Sequence, residues 1–177
     1  MNDKQSISEM IHSSKALKKG DVFLRIGTPC VVIGMVKTGV LRGFVFDNDG
    51  NEITTHFFQE NDMIIGSFIP NSNTAMSVDV LVDADLTIAN YSEVMSWVNK
   101  DIELTKVITD QLNKMNHQLQ SRLVHLLNLK SVEKYEIFMN EYPSLINRIP
   151  HYYIANYLGI TPTQLSRARR EFLNKCT

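Results

Sequence analysis

The chain has 177 residues, of which 44% are hydrophobic and 21% are charged, and its formal net charge at pH 7 is −1. This composition is that of an ordinary soluble globular protein with ample length for a core. Its two cysteines, Cys30 and Cys176, are too few for a disulfide framework or a thiolate-rich metal site, so we expect both to be free thiols.

The charge is divided unevenly along the chain. Residues 1–100 hold 8 basic and 12 acidic residues, whereas residues 101–177 hold 10 basic and 7 acidic residues. The positive potential therefore belongs to the C-terminal part. No apolar run is long enough to cross a bilayer, and the first ten residues lack the apolar centre of a signal peptide. We expect a cytoplasmic protein with no membrane partner.

The N-terminal half is predicted to be mainly β-structure, preceded by one short helix. Three apolar residues with helical spacing predict that helix around Ser6 to Ala16. Between residues 20 and 89, turn signals separate short apolar runs, namely VFLRIG, CVVIGMV, GVLRGFVF, EITTHFF, MIIGSF, MSVDVLVDA and DLTIANY. The segment Asp47 to Asn51 predicts a hairpin, because its Asp-Gly and Gly-Asn pairs tolerate positive φ angles. Such even spacing favours a β-sandwich or a jelly-roll barrel.

A helical pattern begins at Ser92 and continues towards the C-terminus. Its clearest feature is an apolar stripe at spacings of three and four residues, formed by Leu104, Ile108, Leu112, Met115, Leu119, Leu123 and Leu126. A stripe of about six turns is too long and narrow for a small β-domain alone to bury. We therefore expect a partner helix to cover it in a two-fold homodimer; the alternative is packing only against its own chain. A further helix is predicted from Val132 to Tyr142, ending at Pro143.

Residues 149–172 predict two short helices joined by a tight turn. The first helix, Tyr152 to Leu158, ends at Gly159, because glycine readily takes the left-handed conformation that such a turn needs. The second helix has Thr161 as its N-cap and Pro162 as its first residue, and Gln164 completes a capping box. These local signals define where the second helix begins.

The second helix has an apolar side and a basic side. Leu165, Ala168 and Phe172 recur at helical spacing and are expected to face inward. From Arg148 to the end, the chain carries five basic residues and one acid. A helix of this kind can enter a phosphate-lined groove and present side chains to base edges. The alternative is an ordinary pair of packed helices with a solvated charged face.

The predicted order of a jelly roll, a long apolar helix and a C-terminal helix-turn-helix resembles the Crp/Fnr regulators, the family of the cyclic AMP receptor protein. The resemblance covers nearly the whole chain. One feature behind the resemblance is a series of glycines in LKKGDVFLRIG, KTGVLRGFVFDNDGNE and NDMIIGSF, namely Gly20, Gly27, Gly39, Gly50 and Gly66. The other is YEIFMNEYPSLINRIPHYYIANYLGITPTQLSRARR, which is similar to the ending of a Crp-like subfamily without a sensory cofactor.

The resemblance implies an α+β fold in three parts. These are a cyclic-nucleotide-binding-like jelly roll at 1–91, a dimerisation helix at 92–128 and a helix-turn-helix domain at 129–177. The implied function is that of a homodimeric DNA-binding transcription regulator. The implied partners are double-stranded DNA, a second copy of the chain and RNA polymerase.

Two positions depart from the family's effector pocket. Relatives hold the ribose of a cyclic nucleotide with a Gly-Glu pair and the phosphate with an Arg-Ser or Arg-Thr pair, whereas this chain has Gly66-Ser67 and Met76-Ser77. A buried cyclic phosphate without its cation would keep a poorly compensated charge. We therefore expect that cyclic AMP does not regulate the protein. Either the pocket holds another small-molecule effector, to which Ser77 could donate one hydrogen bond, or its own side chains fill it.

No metal or cofactor is expected. Iron–sulfur members of the family need a cysteine cluster, and haem members need suitably placed axial ligands. His56 and Glu60, in TTHFFQEN, suggest a cupin metal site, but one histidine lacks the paired ligands that a metal needs. The runner-up hypothesis is a jelly-roll small-molecule binder or cupin-like enzyme whose C-terminal helices only support assembly. Because the sequence lacks a metal cluster and a nucleophile–base pair, we expect a protein that is not an enzyme.

The resemblance also assigns roles along the second helix. The base-facing positions fall on Thr163, Ser166 and Arg167, and the planar fork of Arg167 can reach guanine O6 and N7. Roles in positioning the helix on phosphates fall on Thr161, Gln164, Arg169 and Arg170. Many relatives have a β-hairpin wing after this helix, where the present sequence stops at Thr177.

Overall fold

A computed structural model describes residues 11–69, 71–98 and 100–175. Within them the strands are β1 Ile11–Leu17, β2 Val22–Leu24, β3 Val32–Phe46, β4 Glu52–Phe58, β5 Met63–Ile65 and β6 Ser77–Asn90. The helices are α1 Tyr91–Trp97, α2 Ile102–Asn128, α3 Ser131–Glu141, α4 His151–Leu158 and α5 Pro162–Lys175, with a 3-10 turn at Leu145–Asn147. The predicted α+β class is confirmed.

The chain divides into two compact units, Met1–Lys114 and Met115–Thr177, and the division falls inside α2. The first unit contains the sheet, α1 and the beginning of α2. The second contains the rest of α2 and the three helices that follow it. The predicted limits 1–91, 92–128 and 129–177 stay predictions.

The strands of the first unit form one antiparallel sheet. Its order is β1-β6-β3-β4, with β2 also paired to β6 and β5 also paired to β3. Each of the long strands β3 and β6, of 15 and 14 residues, joins two apolar runs that the sequence pattern separated. This strand pairing does not by itself establish a jelly roll, so the jelly-roll assignment stays a prediction.

Gly39 lies where β3 changes register against β6. The register shifts between Val36 and Thr38, between Thr38 and Val40, and again before Leu41. Gly39 has a φ of +102°, and a Cβ atom added to it would lie 2.5 Å from Ala84 Cα. Glycine is therefore required here both for its conformation and for the close approach of β6.

The predicted hairpin at Asp47 to Asn51 is confirmed. The Asp47 amide donates to the Asn51 carbonyl at 3.0 Å, and the Gly50 amide donates to the Asp47 carbonyl at 3.1 Å. Gly50 has the positive φ, +82°, that the sequence pattern predicted.

The predicted helix around Ser6 to Ala16 is wrong wherever the structure describes it. Ser6 to Met10 lie outside the described residues, and residues 11–17 form β1 instead. β1 pairs with β6, for example through Ser14 and Thr87, and such pairing gives its backbone groups partners that local sequence cannot reveal.

Helices α1 and α2 close one part of the first unit's core. Asn90 caps α1 by accepting from the Glu93 amide at 3.1 Å, and Asp101 caps α2 by accepting from the Leu104 amide at 2.9 Å. The core that these helices contact consists of Cys30, Ile33, Ile65, Tyr91, Val94, Leu104 and Ile108. Burial of this cluster holds the start of α2 against the unit.

The second unit is a helical cluster with an aromatic core. Phe138 is fully buried between Tyr142 and Tyr157, with ring centroids 5.3 and 5.9 Å away. The predicted helix from Val132 to Tyr142 corresponds to α3, and the prediction of two short helices after it corresponds to α4 and α5. Leu145 and Ile154 of the same unit are also fully buried.

Candidate nucleic-acid interface

The turn between α4 and α5 has the predicted geometry. Gly159 is left-handed, with φ 62° and ψ 39°. The Gly159 amide donates to the Asn156 carbonyl at 3.1 Å, and the Ile160 amide donates to the Ala155 carbonyl at 3.0 Å. These bonds satisfy carbonyls at the end of α4 and aim the chain into the next helix.

The start of α5 is defined by a capping box. The Gln164 amide donates to Thr161 Oγ1 at 3.2 Å, and the Thr161 amide donates to Gln164 Oε1 at 2.8 Å. Two amides that α5 cannot satisfy internally are thereby paired, as the Thr-x-x-Gln spacing predicted.

The two sides of α5 differ sharply in burial. Leu165 and Ala168 are each only 3% exposed, and Phe172 packs edge-on against Tyr135 with ring centroids 5.6 Å apart. By contrast, the residues predicted to face DNA bases are all exposed, namely Thr163, Ser166 and Arg167. The buried side thus holds α5 in the unit and leaves the predicted reading side open.

Of the four residues predicted to contact phosphates, Arg169 has a protein partner that the sequence did not reveal. Thr161, Gln164 and Arg170 are exposed, whereas Arg169 is half-buried and its side chain hydrogen-bonds to the Tyr135 hydroxyl. Burial raises the pKa of Tyr135, and the nearby Arg169 charge opposes that rise. Arg169 is therefore held in place by α3.

Arg122 is a second residue that sequence reasoning missed. Its Nε and Nη2 atoms donate to the Tyr157 carbonyl at 3.2 and 3.0 Å, and its guanidinium lies 4.5 Å from the centre of the Tyr157 ring. Burial lowers the pKa of Arg122. Because Tyr157 is in the last turn of α4, whose terminal carbonyls lack helical partners, the cation stabilises the helix end that leads into the turn.

The predicted effector residues lie on two segments that meet. The Ala75 amide donates to the Gly66 carbonyl at 2.8 Å, which brings Gly66-Ser67 next to Met76-Ser77. A Cβ atom on Gly66 would lie 2.5 Å from Thr74 Cγ2, so a larger residue there would displace Thr74.

The side chains of these segments already have partners within the protein. Ser67 shares a hydrogen bond with the Ser72 hydroxyl and accepts from the Ile69 amide at 3.1 Å. Ser77 Oγ accepts from the Ile26 amide at 3.0 Å. Met76 is buried, with its sulfur 3.0 Å from where a Cβ on Gly43 would lie. The structure thus places a buried apolar side chain at the position where the sequence resemblance predicts that an arginine is missing.

Arg42 is a buried cation of the same unit, but its side chain is already paired with acidic residues. It donates to both Asp79 oxygens at 3.0 and 2.7 Å and to Glu52 at 2.6 Å. Burial would lower its pKa, but the hydrogen bonds to Asp79 and Glu52 outweigh that effect and raise it. Breaking such a buried pair to free the cation would be costly.

The predicted dimer stripe divides into a buried and an exposed part. Leu104 and Ile108 belong to the first unit's own core. The residues that follow are half-buried or exposed, namely Leu112, Met115, Leu119, Leu123 and Leu126. The dimer prediction therefore applies to the second part, from Leu112 to Leu126, because a partner helix could contact Leu104 and Ile108 only by disrupting the first unit's core.

The histidine considered as a metal ligand sits in an aromatic setting. His56 is buried and stacks on Phe58, with ring centroids 5.9 Å apart. Glu60 accepts a hydrogen bond from the Gly39 amide at 3.1 Å. In the part of the chain that the structure describes, no three metal-ligating side chains are grouped to hold an ion. No helix there combines the length and apolarity of a membrane span.

No protein-family model matches the sequence, and the search of curated proteins found no significant similarity. Solved structures nevertheless share the fold. FixK2 from Bradyrhizobium japonicum matches with a TM-score of 0.84 and 15% identity, over 92% of this chain and 85% of that one. A structure from Eubacterium rectale described as a Crp/Fnr-family transcriptional regulator matches with a TM-score of 0.72 and 19% identity, over 92% and 79% of the two chains.

A CooA variant from Carboxydothermus hydrogenoformans matches with a TM-score of 0.71 and 13% identity, over 98% of this chain and 82% of that one. Structural neighbours of the chain include Crp/Fnr transcriptional regulators. At these identities, the likeness concerns the fold.

Proposed function

We propose that the protein is a Crp/Fnr-type transcription regulator that binds DNA as a homodimer. The observation that carries the proposal is the division of α5, whose apolar side is buried while Thr163, Ser166 and Arg167 share its exposed side. The capped start at Thr161 and the fold shared with known regulators support it. In this proposal α4 and α5 are the two helices of a helix-turn-helix, and the first unit is a jelly roll.

The proposed contacts on α5 fall into two groups. Arg167 reads a guanine in the major groove, and the short hydroxyl side chains of Thr163 and Ser166 read adjacent bases. Contacts to phosphates come from Thr161, Gln164, Arg169 and Arg170. Because the bond to Tyr135 already restricts the Arg169 side chain, contact with a DNA phosphate would cost little further side-chain entropy. RNA polymerase is proposed as a further partner.

The proposed dimer joins two copies of α2 through its exposed stripe from Leu112 to Leu126. Large apolar side chains with exposures of 45% at Leu112 and at Leu119 are costly to leave in water over several turns. Two identical helices covering each other would remove that cost and create a two-fold axis. The matching DNA site would then contain two half-sites about one helical turn apart.

The proposed regulator does not respond to cyclic AMP. Ser67 and Met76 replace the carboxylate and the guanidinium that relatives use, and the Ser77 hydroxyl already accepts from Ile26. Calorimetric titration with cyclic AMP should therefore give no binding at micromolar concentrations. A micromolar dissociation constant would show that another group supplies the cation.

The experiment that tests the function is selection of bound fragments from random-sequence DNA by the purified protein. We expect the selected fragments to share a two-fold-symmetric site, because a dimer presents two copies of α5. The control is the Arg167→Ala variant, which should retain weak binding without enriching that site. Fragments with no shared sequence would contradict the proposed reading by α5, and the same site enriched by both proteins would contradict the proposed role of Arg167.

A further inference from the structure

The first unit contains an apolar cavity of about 130 Å³ that the effector prediction did not include. Its wall on the sheet side comes from one face of β3, β5 and β6, because Ile33 pairs with Ala89 and Met35 pairs with both Thr87 and Met63. Helices α1 and α2 form the opposite wall. The lining residues are Ile33, Gly34, Met35, Met63, Thr87, Ala89, Val94, Leu104, Val107 and Ile108.

The chemistry of the cavity is nearly uniform. Among the lining residues that the structure describes, Thr87 has the only polar side chain and none is charged. Cavities of roughly 150 Å³ with aliphatic and aromatic walls exclude water and take up benzene or xenon. A charged molecule would find no partner here, whereas a neutral ring or short chain would gain dispersion contacts with the apolar walls.

The cavity has an entrance and adaptable walls. Met35 and Val107 are 37% and 39% exposed, so they lie at its mouth, while Leu104 and Ile108 are buried. Methionine side chains are unbranched and change shape at little cost, and both Met35 and Met63 contribute to the lining. A ligand can thus enter without unfolding the sheet.

We propose that this cavity binds a small, neutral, apolar molecule of about six to eight heavy atoms, and that it is the protein's ligand site. It shares no residue with the predicted effector segments Gly66-Ser67 and Met76-Ser77, whose hydroxyls have internal partners. Leu104, Val107 and Ile108 belong to α2, so the ligand stabilises the start of the same helix whose exposed stripe begins at Leu112. The proposal does not depend on DNA binding by α5.

The test is a methyl NMR titration of the whole chain labelled at its methionine methyl groups. Toluene should shift the Met35 and Met63 resonances and leave Met76, in the predicted effector segment, unmoved. Benzoate, which has the same ring and one negative charge, should shift none of the three. Thermal unfolding of the first unit should also occur at a higher temperature with toluene, because a ligand that binds only the folded state stabilises it.

Substitutions at two alanines test whether toluene binds in the cavity. Ala89→Leu places three more carbon atoms inside the cavity and should weaken toluene binding at least tenfold. The matched control is Ala16→Leu, an exposed position in β1, which should bind as the unchanged chain does. If Ala89→Leu does not fold, Val107→Phe at the mouth replaces it and should also weaken binding.

Several outcomes would overturn the proposal. A toluene shift of Met76 alone would assign binding to the predicted effector segment, and the absence of any methionine shift would exclude binding. Equal binding by Ala89→Leu and Ala16→Leu would exclude the cavity. Shifts of Met35 and Met63 that follow protein concentration rather than toluene would show that a second copy of this chain covers the cavity. None of these results bears on whether α5 binds DNA, so the two proposals fail separately.

Discussion

Two buried tyrosines show that a hydroxyl group can either stabilise or destabilise the folded state, depending on whether it has a hydrogen-bond partner. Within the described residues, the Tyr91 hydroxyl is buried with no hydrogen-bond partner, whereas the Tyr135 hydroxyl is bonded to Arg169. A buried hydroxyl without a partner costs about 1–3 kcal/mol. A hydrogen bond to a charged group contributes about 1.5–3 kcal/mol.

We therefore expect Tyr91→Phe to raise the free energy of unfolding by about 1 kcal/mol. The matched variant Tyr135→Phe should lower it by about 1–2 kcal/mol. Urea unfolding followed by circular dichroism measures both. If Tyr91→Phe is as destabilising as Tyr135→Phe, the Tyr91 hydroxyl has a favourable interaction that the geometry does not show.

The pH dependence of stability gives a second signature of Tyr91. Burial, with a smaller contribution from Cys30, raises the pKa of Tyr91. The folded state therefore keeps a proton that the unfolded state loses, and stability falls as the pH rises above about 10, the ordinary tyrosine pKa. Tyr91→Phe should remove part of that fall, and an unchanged pH profile would contradict the burial of the hydroxyl.

Arg167 and Arg170 are both exposed arginines on α5, but they are proposed to contact different parts of DNA. Arg167→Ala should cost about 1–3 kcal/mol at the selected site and little on scrambled DNA, because it removes a bidentate guanine contact. Arg170→Ala should weaken binding to both DNAs and reduce the salt slope by about one unit. Affinities measured over a salt series, with both DNAs, separate the two roles.

Arg170 is the cleaner phosphate variant, because replacing Arg169 would also remove the bond to Tyr135. An equal loss on both DNAs for Arg167→Ala would show that Arg167 contacts the backbone. No loss for either variant would mean that α5 is not the binding helix.

Substitutions at two glycines of the sheet distinguish the cost of backbone strain from the cost of steric collision. Gly39 and Gly50 both have positive φ, +102° and +82°. A Cβ on Gly50 would meet nothing within 4 Å, whereas a Cβ on Gly39 would lie 2.5 Å from Ala84 Cα and from the Asp83 carbonyl oxygen. The first is a hairpin position, and the second lies directly against Ala84 of β6.

Gly50→Ala should therefore cost about 1–2 kcal/mol, the strain of a left-handed backbone at a non-glycine residue. Gly39→Ala should cost several kcal/mol more or prevent the first unit from folding, because β6 must move to admit the methyl group. Denaturant unfolding of the two variants measures the difference. Equal losses would mean that β3 and β6 separate easily at Gly39.

The elements that were predicted correctly are those whose signals lie within a few residues of one another. Thr161 and Gln164 pair across three positions, and Gly159 ends α4 through its own conformation. The turn from Asp47 to Asn51 is similarly local. Sequence spacing is sufficient in such cases, because the partners are neighbours along the chain.

The elements that were missed depend on distant partners. β1 is a strand because residues 11–17 pair with β6, more than 60 positions away, and a few apolar spacings suggested a helix instead. At the site, the bond from Arg122 to Tyr157 spans 35 positions. The apolar cavity likewise draws residues from β3, β5, β6, α1 and α2, so no single stretch of sequence predicts it.

The two units of the chain differ in chemistry as well as in structure. The first unit holds the sheet and the apolar cavity, and the second holds the basic helix α5. Helix α2 is common to both, since 13 of its 27 residues belong to the first unit and 14 to the second. The exposed stripe of α2, from Leu112 to Leu126, lies mainly in the second unit.

The dimer prediction can be tested at the middle of that stripe. Leu119 lies centrally in the exposed part and is 45% exposed, so Leu119→Glu should place an uncompensated carboxylate within the interface and split the dimer. The matched control is Val124→Glu. Val124 is also an exposed apolar residue of α2, at 55%, but it lies about 140° around the helix from Leu119.

Light scattering should give the mass of two chains for the unchanged protein and for Val124→Glu, and the mass of one chain for Leu119→Glu. The monomeric variant should keep its helical circular dichroism, because Leu104 and Ile108, rather than Leu119, hold α2 in its own unit. It should also lose most affinity for a two-fold-symmetric site, since two joined copies of α5 gain from a high effective concentration that separate copies lack. Dissociation by Val124→Glu instead would move the interface to the other face of α2. A dimer that survives both changes would mean that α2 is not the dimerisation helix.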